Sequence, residues 1–431
     1  MKEKLKAYVA NTNNRVFIFL CTYLLVLFVF GLCVTPLKDI ISGLWTIIET
    51  PDILMTDYFS IASVGAAFVN SAILSFLMMM IIKRCKVPFT GVTIAVVGIV
   101  SGFALFGKNL SNVWPIIIGA FLYAKVRREK FSKYVNTAIF GTTMSPLISE
   151  LFLHKGWPPA LSISLAFVVG LAIGFILVPM ASMTMNIHKG YVLYNVGIAA
   201  GCILVLVVGI LNVLGFEYTK HFYYSSEHTT MMLIFLLALS VAMILIGIII
   251  DKKALIDGIK LSQYSGRSIT DYVLREGLPA TMVNMGLLGL ISTLYVYFVG
   301  APLNGATVGA ILVVITFGAL GKNVRNVLYI YAGGLIGHLC GFWNYATDCT
   351  AIVGILFATG IAPLGGQYGW FVGMLAGFIH IFVVKNAAQL HMGLTLYSNG
   401  FAELFDAVLL LPVIEGLQGA VKRFRREKKN E

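Results

Sequence analysis

Charge is scarce in this sequence. Asp, Glu, Lys and Arg make up 12% of its 431 residues against 58% hydrophobic ones, and the mean hydropathy is +0.89. A soluble domain carries about twice that share of charge, so a water-facing globular fold is excluded. Cysteine pairing is missing too: Cys21, Cys33, Cys85, Cys202, Cys340 and Cys349 are scattered, mostly in apolar runs, with no Cys-x-x-Cys. That leaves no disulfide framework, zinc site or iron–sulfur cluster to propose. No nucleophile–base–orienter set, metal-ligand cluster or close carboxylate pair stands out, so neither an enzyme nor a cofactor is expected. The alternating dyads of an outer-membrane barrel are absent as well.

Long apolar runs are what the chain has instead. Helices are expected near 16–34, 59–82, 89–106, 113–126, 134–153, 159–178, 190–215, 229–250, 277–299, 302–320, 326–343, 350–364, 367–385 and 392–414, several of them near the roughly 20 residues that cross a bilayer. The run Val16–Val34 follows a basic stretch (Lys2, Lys4, Lys6, Arg15) without a small-x-small cleavage site, and is expected to stay as a first helix. The formal charge of +12 sits in short segments beside these runs: Lys83–Lys86, Lys125–Lys133, Asp251–Arg275 and the tail from Lys422. The positive-inside rule explains that placement, and nucleic acid is not an expected partner.

The chain is duplicated. Gly107-Lys108-Asn109-Leu110-Ser111-Asn112-Val113 returns as Gly321-Lys322-Asn323-Val324-Arg325-Asn326-Val327. At the same offset Asp57-Tyr58 matches Asp271-Tyr272, Asn70 matches Asn284, and Pro88-x-x-Gly-x-Thr93 matches Pro302-x-x-Gly-x-Thr307. After length changes, Thr137–Gly141 matches Thr350–Gly354, and His188-x-Gly-x-x-Leu-Tyr194-x-x-Gly197 matches His391-x-Gly-x-x-Leu-Tyr397-x-x-Gly400. The connections after residues 82 and 126 are basic, whereas their counterparts near Gly300 and Phe342 carry no Lys or Arg. Opposite charge rules in equivalent loops predict inverted halves.

The expected layout is an N-terminal helix and external segment (1–56), a first membrane repeat (57–215), a linking helix and cytoplasmic loop (216–270), an inverted second repeat (271–414) and a basic tail (415–431). Both termini are expected on the cytoplasmic side of a bacterial cell membrane. The fold class is an all-α polytopic membrane protein of two inverted-topology repeats, each with a helical hairpin, in about 12–14 membrane helices or half-helices.

The repeated turn has chemistry to offer. The arm Phe89–Phe106 spans roughly 27 Å but Val113–Val126 only about 21 Å, short for a crossing, so a re-entrant hairpin is predicted. Such tips are tolerated at membrane depth where they line a cavity or are buried in protein. Glycine permits the turn, and Asn109, Asn112, Asn323 and Asn326 can cap a helix or bond a solute. Lys108 and Lys322, arriving from opposite faces, would form an anion-attracting centre; the competing expectation is that they snorkel from ordinary loops. Gly102–Asn109 has P-loop spacing, but Asn109 replaces the magnesium-binding hydroxyl and a helix precedes it, so nucleotide binding is excluded.

Other polar residues fall in apolar runs. Asn70 and Asn284 require either a neighbouring helix or a solute. His188 and His391, each followed by a tyrosine, are candidates for proton or ion coupling, or for interfacial anchoring. Glu150 and Asp348 are candidate coupling carboxylates, and Ser145-Pro146 and Ala362-Pro363 mark interrupted helices.

The Pro-x-x-Gly-x-Thr stretch, Phe-x-x-x-Gly-Lys-Asn-x-x-Asn-Val and the His-x-Gly-x-x-Leu-Tyr end resemble a two-copy family of bacterial integral membrane proteins, typical of Firmicutes, catalogued as a domain of unknown function. The resemblance implies a cytoplasmic-membrane location and no particular activity. Gly190–Gly197 is loosely similar to helix ends of urea transporters, whose paired Asn-Pro motif is absent here; inverted-repeat anion symporters are an architectural analogy. The leading expectation is a secondary transporter for a small polar or anionic solute, coupled to protons or sodium and able to form a homo-oligomer. The alternatives are a passive channel for a small neutral solute and a structural membrane protein.

Overall fold

The computed structural model describes residues 2–52, 56–154, 156–216 and 223–430. The side chains of Lys2, Lys4, Lys6 and most of the basic tail lie outside the described residues, as does part of the 216–270 linker. The first half runs α1 (Lys2–Val34), α2 (Leu37–Glu49), α3 (Tyr58–Ile61), α4 (Val64–Arg84), α5 (Gly91–Phe103), α6 (Trp114–Val126), α7 (Val135–Gly141), α8 (Ser145–Phe152), α9 (Pro159–Ile187) and α10 (Asn195–Val213). The second half runs α11 (Thr229–Ile250), α12 (Ala254–Lys260), α13 (Tyr272–Phe298), α14 (Gly305–Phe317), α15 (Val324–Leu339), α16 (Cys349–Ala358), α17 (Ala362–Tyr368), α18 (Trp370–Leu390) and α19 (Ser398–Asn430). Among the described residues, 9 helical segments are long and apolar enough to cross a membrane. Their outward faces carry apolar side chains such as Val168, Leu206, Ile234 and Ile249, the surface that lipid contact requires.

The hairpin arms α5 and α14 form the centre. Each has 13 residues, about 20 Å of helix, and α14 buries every one of them. A helix apolar all round is stable only when surrounded, which the two arms achieve by packing on each other. They run antiparallel: Gly305, the start of α14, lies against Leu105 at the end of α5, and Gly91, the start of α5, lies against Ala319 at the end of α14. Where they cross, Gly102 and Gly309 each face the other's carbonyl with no room for a Cβ. Capping boxes fix both starts at equivalent positions, Thr90 with Thr93 and Asn304 with Thr307, which explains the Pro-x-x-Gly-x-Thr repeat.

A carboxylate exchange ties the halves together. Asp57 accepts from Gly305 N at 2.9 Å, at the start of the other half's hairpin, and its counterpart Asp271 accepts from Val92 N at 3.3 Å. Equivalent helices that are antiparallel and reciprocally capped are what an inverted duplication produces.

The repeat also extends further than sequence identity does. Gly31 of α1 packs on the Gly65 carbonyl, and Gly247 of α11 on the carbonyl of Pro279, the counterpart of Gly65. The two helices that fall outside the sequence repeat therefore hold equivalent places. The segment 35–56, expected as an external connection, contains the amphipathic α2, with Leu37, Ile41 and Trp45 exposed on one face at 63%, 53% and 62%. Leu255 and Ile259 of α12 occupy the positions equivalent to Ile41 and Trp45 and are also exposed. Both helices have the character of interfacial helices. Toward the other end, Gly174 packs on the Ile116 carbonyl as Gly377 packs on that of Ile330.

Candidate functional site

Each copy breaks one helix beside its hairpin. The stretch 134–153, expected as one helix, is α7, a 3-10 turn Thr142–Met144 and α8; its counterpart is α16, a turn Thr359–Ile361 and α17. Pro146 and Pro363 begin the second pieces, where a missing N–H costs nothing. The loops before α10 and α19 then cross to the opposite copy. Leu193 N donates to Gly360 O, and Leu396 N to Thr143 O, both at 3.0 Å. This exchange carries Tyr194 to the second break and Tyr397 to the first.

The two lysine tips end at these junctions. Lys108 and Lys322 are both fully buried, which settles against the snorkelling expectation. Lys108 Nζ lies 5.2 Å from the Phe103 ring centre and Lys322 Nζ lies 5.3 Å from that of Phe317, the equivalent residue. Between them is an aromatic seam: Phe103 to Tyr397 at 5.1 Å, Tyr397 to Tyr194 at 5.0 Å, and Tyr194 to Phe317 at 4.9 Å. The lysines therefore sit at the two ends of one seam, each on the tip of its own copy.

Their partners differ. Lys322 Nζ donates to Tyr194 Oη and Thr359 Oγ1, each at 2.5 Å. Lys108 Nζ and Tyr397 Oη have no hydrogen-bond partner among the described residues. An ammonium group buried without acceptors is costly, several kcal/mol by general experience, so an anion arriving there is stabilised.

The asparagines hold the tips in place. Asn109 N donates to Asn112 Oδ1 and Asn112 N to Asn109 Oδ1, a reciprocal clamp repeated by Asn323 and Asn326. Asn70 Nδ2 donates to the carbonyls of Ala104 and Lys108, both at 2.8 Å. Asn284 Nδ2 does the same for Gly318 and Lys322 at 2.8 and 2.9 Å. Of the two roles expected for these residues, the structure places them in helix and turn bonding.

A residue the sequence reading passed over anchors the first tip. Asp52 accepts from Tyr58 Oη, Asn109 Nδ2, Asn112 Nδ2 and Ser149 Oγ. In the second tip the backbone carbonyls of Tyr264 and Ser265 take that part, accepting from Asn323 and Asn326.

The candidate coupling residues are not brought together. His188 bonds Asn195 and the Val192 amide, and His391 bonds Ser398, so each braces the turn before α10 or α19. Glu150 is buried beside Ser149 at the first tip's anchor. Asp348 caps α16 and pairs with Lys385 at 2.5 Å, away from the seam. What sequence reasoning missed lies on α18 and α19: buried His380, Asn399, Glu403 and Asp406. Two carboxylates within an otherwise apolar run were the available signal. No group of three or more His, Cys, Asp or Glu placed to hold a metal occurs among the described residues.

Fold and site together define a polytopic helical membrane protein of two inverted repeats, each contributing one buried lysine to an end of a shared aromatic seam. The chain belongs to the family described as "Protein of unknown function (DUF1576)", which matches it twice, over residues 37–213 and 250–416. Each match begins at or beside the interfacial helix, so the repeat unit starts earlier than residues 57 and 271. No curated protein and no solved structure matches the chain.

Proposed function

We propose that this protein is a secondary transporter for a small anionic solute, working by alternating access between its inverted halves. The observation that carries the reading is two fully buried lysines, one per repeat, at the two ends of one aromatic seam, with Lys108 unbonded to protein among the described residues. Buried unpaired cations in membrane proteins mark solute or ion paths far more often than structural sites. The broken helices and polar re-entrant tips are the parts from which inverted-repeat transporters build midplane sites. In this reading the asparagines position the lysines, and Tyr194, Tyr397 and Thr359 supply hydroxyls around the solute.

The positive-inside charge pattern supports residence in a bacterial cytoplasmic membrane with both termini cytoplasmic. The coupling ion is a proton or sodium, and a homo-oligomer is compatible with the apolar outer faces. Flux into proteoliposomes tests the reading. Saturable anion uptake that follows an imposed proton or sodium gradient supports it. Fast flux of neutral solutes indifferent to gradients indicates a channel, and no flux for any solute class indicates a structural protein.

A further inference from the structure

The second copy has a polar stripe that the first lacks. Asn399, Glu403 and Asp406 fall on one face of α19, and His380 of α18 joins them, with Nδ1 2.6 Å from Asp406 Oδ2 and Nε2 3.1 Å from Asn399 Oδ1. In the register set by His188 and His391, the first copy has Leu177, Val196, Ala200 and Ile203 at these places. A duplicated scaffold that packs well with four apolar residues has no packing need for four polar ones, which are costly when buried.

Glu403 is the member that faces the lysines. It is fully buried, and neither carboxylate oxygen accepts a hydrogen bond among the described residues. The carboxylate lies against Gly360, where a Cβ would not fit, and Gly360 follows Thr359, which bonds Lys322. Lys322 is within electrostatic range of it. The other groups facing Glu403 are Tyr194 and Tyr397 from the exchanged loops and Asp406 from its own helix. Asp406 is held by His380 through Oδ2.

Resting on the anion-transport reading, we propose that Glu403 is the proton-coupling residue. With the site empty, its carboxylate balances the charge of Lys322 through space, without a direct ion pair. When an anionic solute binds at the lysine, the neighbouring carboxylate takes up one proton from water and becomes a neutral acid. The solute and that proton cross together, and on release the proton leaves and Glu403 again balances the charge of Lys322. Around Lys322, the lysine within electrostatic range of Glu403, charge balance at low dielectric favours this exchange over two anions beside one cation.

The test uses full-length protein in liposomes containing a pH-sensitive dye, with radiolabelled succinate, glutamate and inorganic phosphate as probes. Wild-type uptake should be accompanied by acidification of the lumen, and Glu403→Gln should lose the protons entering per anion, whatever its uptake rate. An unchanged proton-to-anion ratio in Glu403→Gln, or wild-type uptake without acidification, overturns the coupling role and leaves transport standing. No wild-type uptake of any probe overturns the transport reading itself. Should Glu403→Gln not fold, infrared difference spectra of the wild type decide: a transported probe should produce a protonated-carboxyl band that Gly360→Ala displaces, and its absence contradicts the proposal.

Discussion

At the residue scale, the tip asparagines do most of the structural work. Asn284 satisfies two turn carbonyls in a fully buried place, where water is not available to replace it. Asn284→Ala should lower stability by about 2–3 kcal/mol, read as an earlier thermal transition in detergent; an unchanged transition would show that these bonds are replaceable. The residue pattern Gly-Lys-Asn-x-x-Asn was legible because it repeats without a gap. The clamp geometry was legible as a capping chance, but the choice between holding the tip and touching a solute needed the partners' positions. Asp52 was illegible because its counterpart in the second copy is the backbone of Tyr264 and Ser265, not a side chain. Glu403 was illegible for the related reason that a reading built on repeated residues discards those present in one copy.

At the element scale, the antiparallel crossing of α5 and α14 depends on small residues. Gly102→Leu should drive the arms apart, costing about 3 kcal/mol or more, and reduce the yield of folded protein. Gly416→Leu, where nothing lies within 4 Å of the added carbon, should leave it unchanged. Equal effects would mean that the crossing is not tightly packed. The reciprocal caps are graded as well. Asp57 accepts from three backbone amides, those of Phe59, Ser225 and Gly305, whereas Asp271 accepts from two, Leu274 and Val92, the latter at 3.3 Å. Asp57→Ala should therefore lower the melting temperature more than Asp271→Ala, and the reverse order would count against the exchange. Short hairpin arms and proline breaks were legible from length and residue type. The equivalence of α2 with α12 was not, because it survives as an apolar face and not as shared residues.

At the scale of the whole molecule, charge asymmetry in equivalent loops foretold the inversion that antiparallel α5 and α14 display. The exchange of Tyr194 and Tyr397 between copies could not be foreseen, since it depends on long-range pairing of Leu193 with Gly360 and Leu396 with Thr143. It leaves one junction bonded, at Lys322, and its counterpart, at Lys108, unbonded among the described residues. Under the proposed transport function, alternating access would trade that bonding between the two junctions. Tyr194→Phe should weaken the bonded junction and shift the population. In a background lacking the native cysteines, Thr359→Cys should become more reactive to a membrane-impermeant thiol reagent and Thr142→Cys less so. Parallel changes at both sites would argue against the trade.

The central claim is that the paired lysines form the anion site. Uptake of a labelled anion panel by purified wild type and by the Lys108→Met, Lys322→Met double variant, at matched amounts of folded protein, tests it most directly. The double variant should lose saturable anion uptake while keeping its expression, since methionine fits a buried site without the charge. Full uptake retained by the double variant would contradict it.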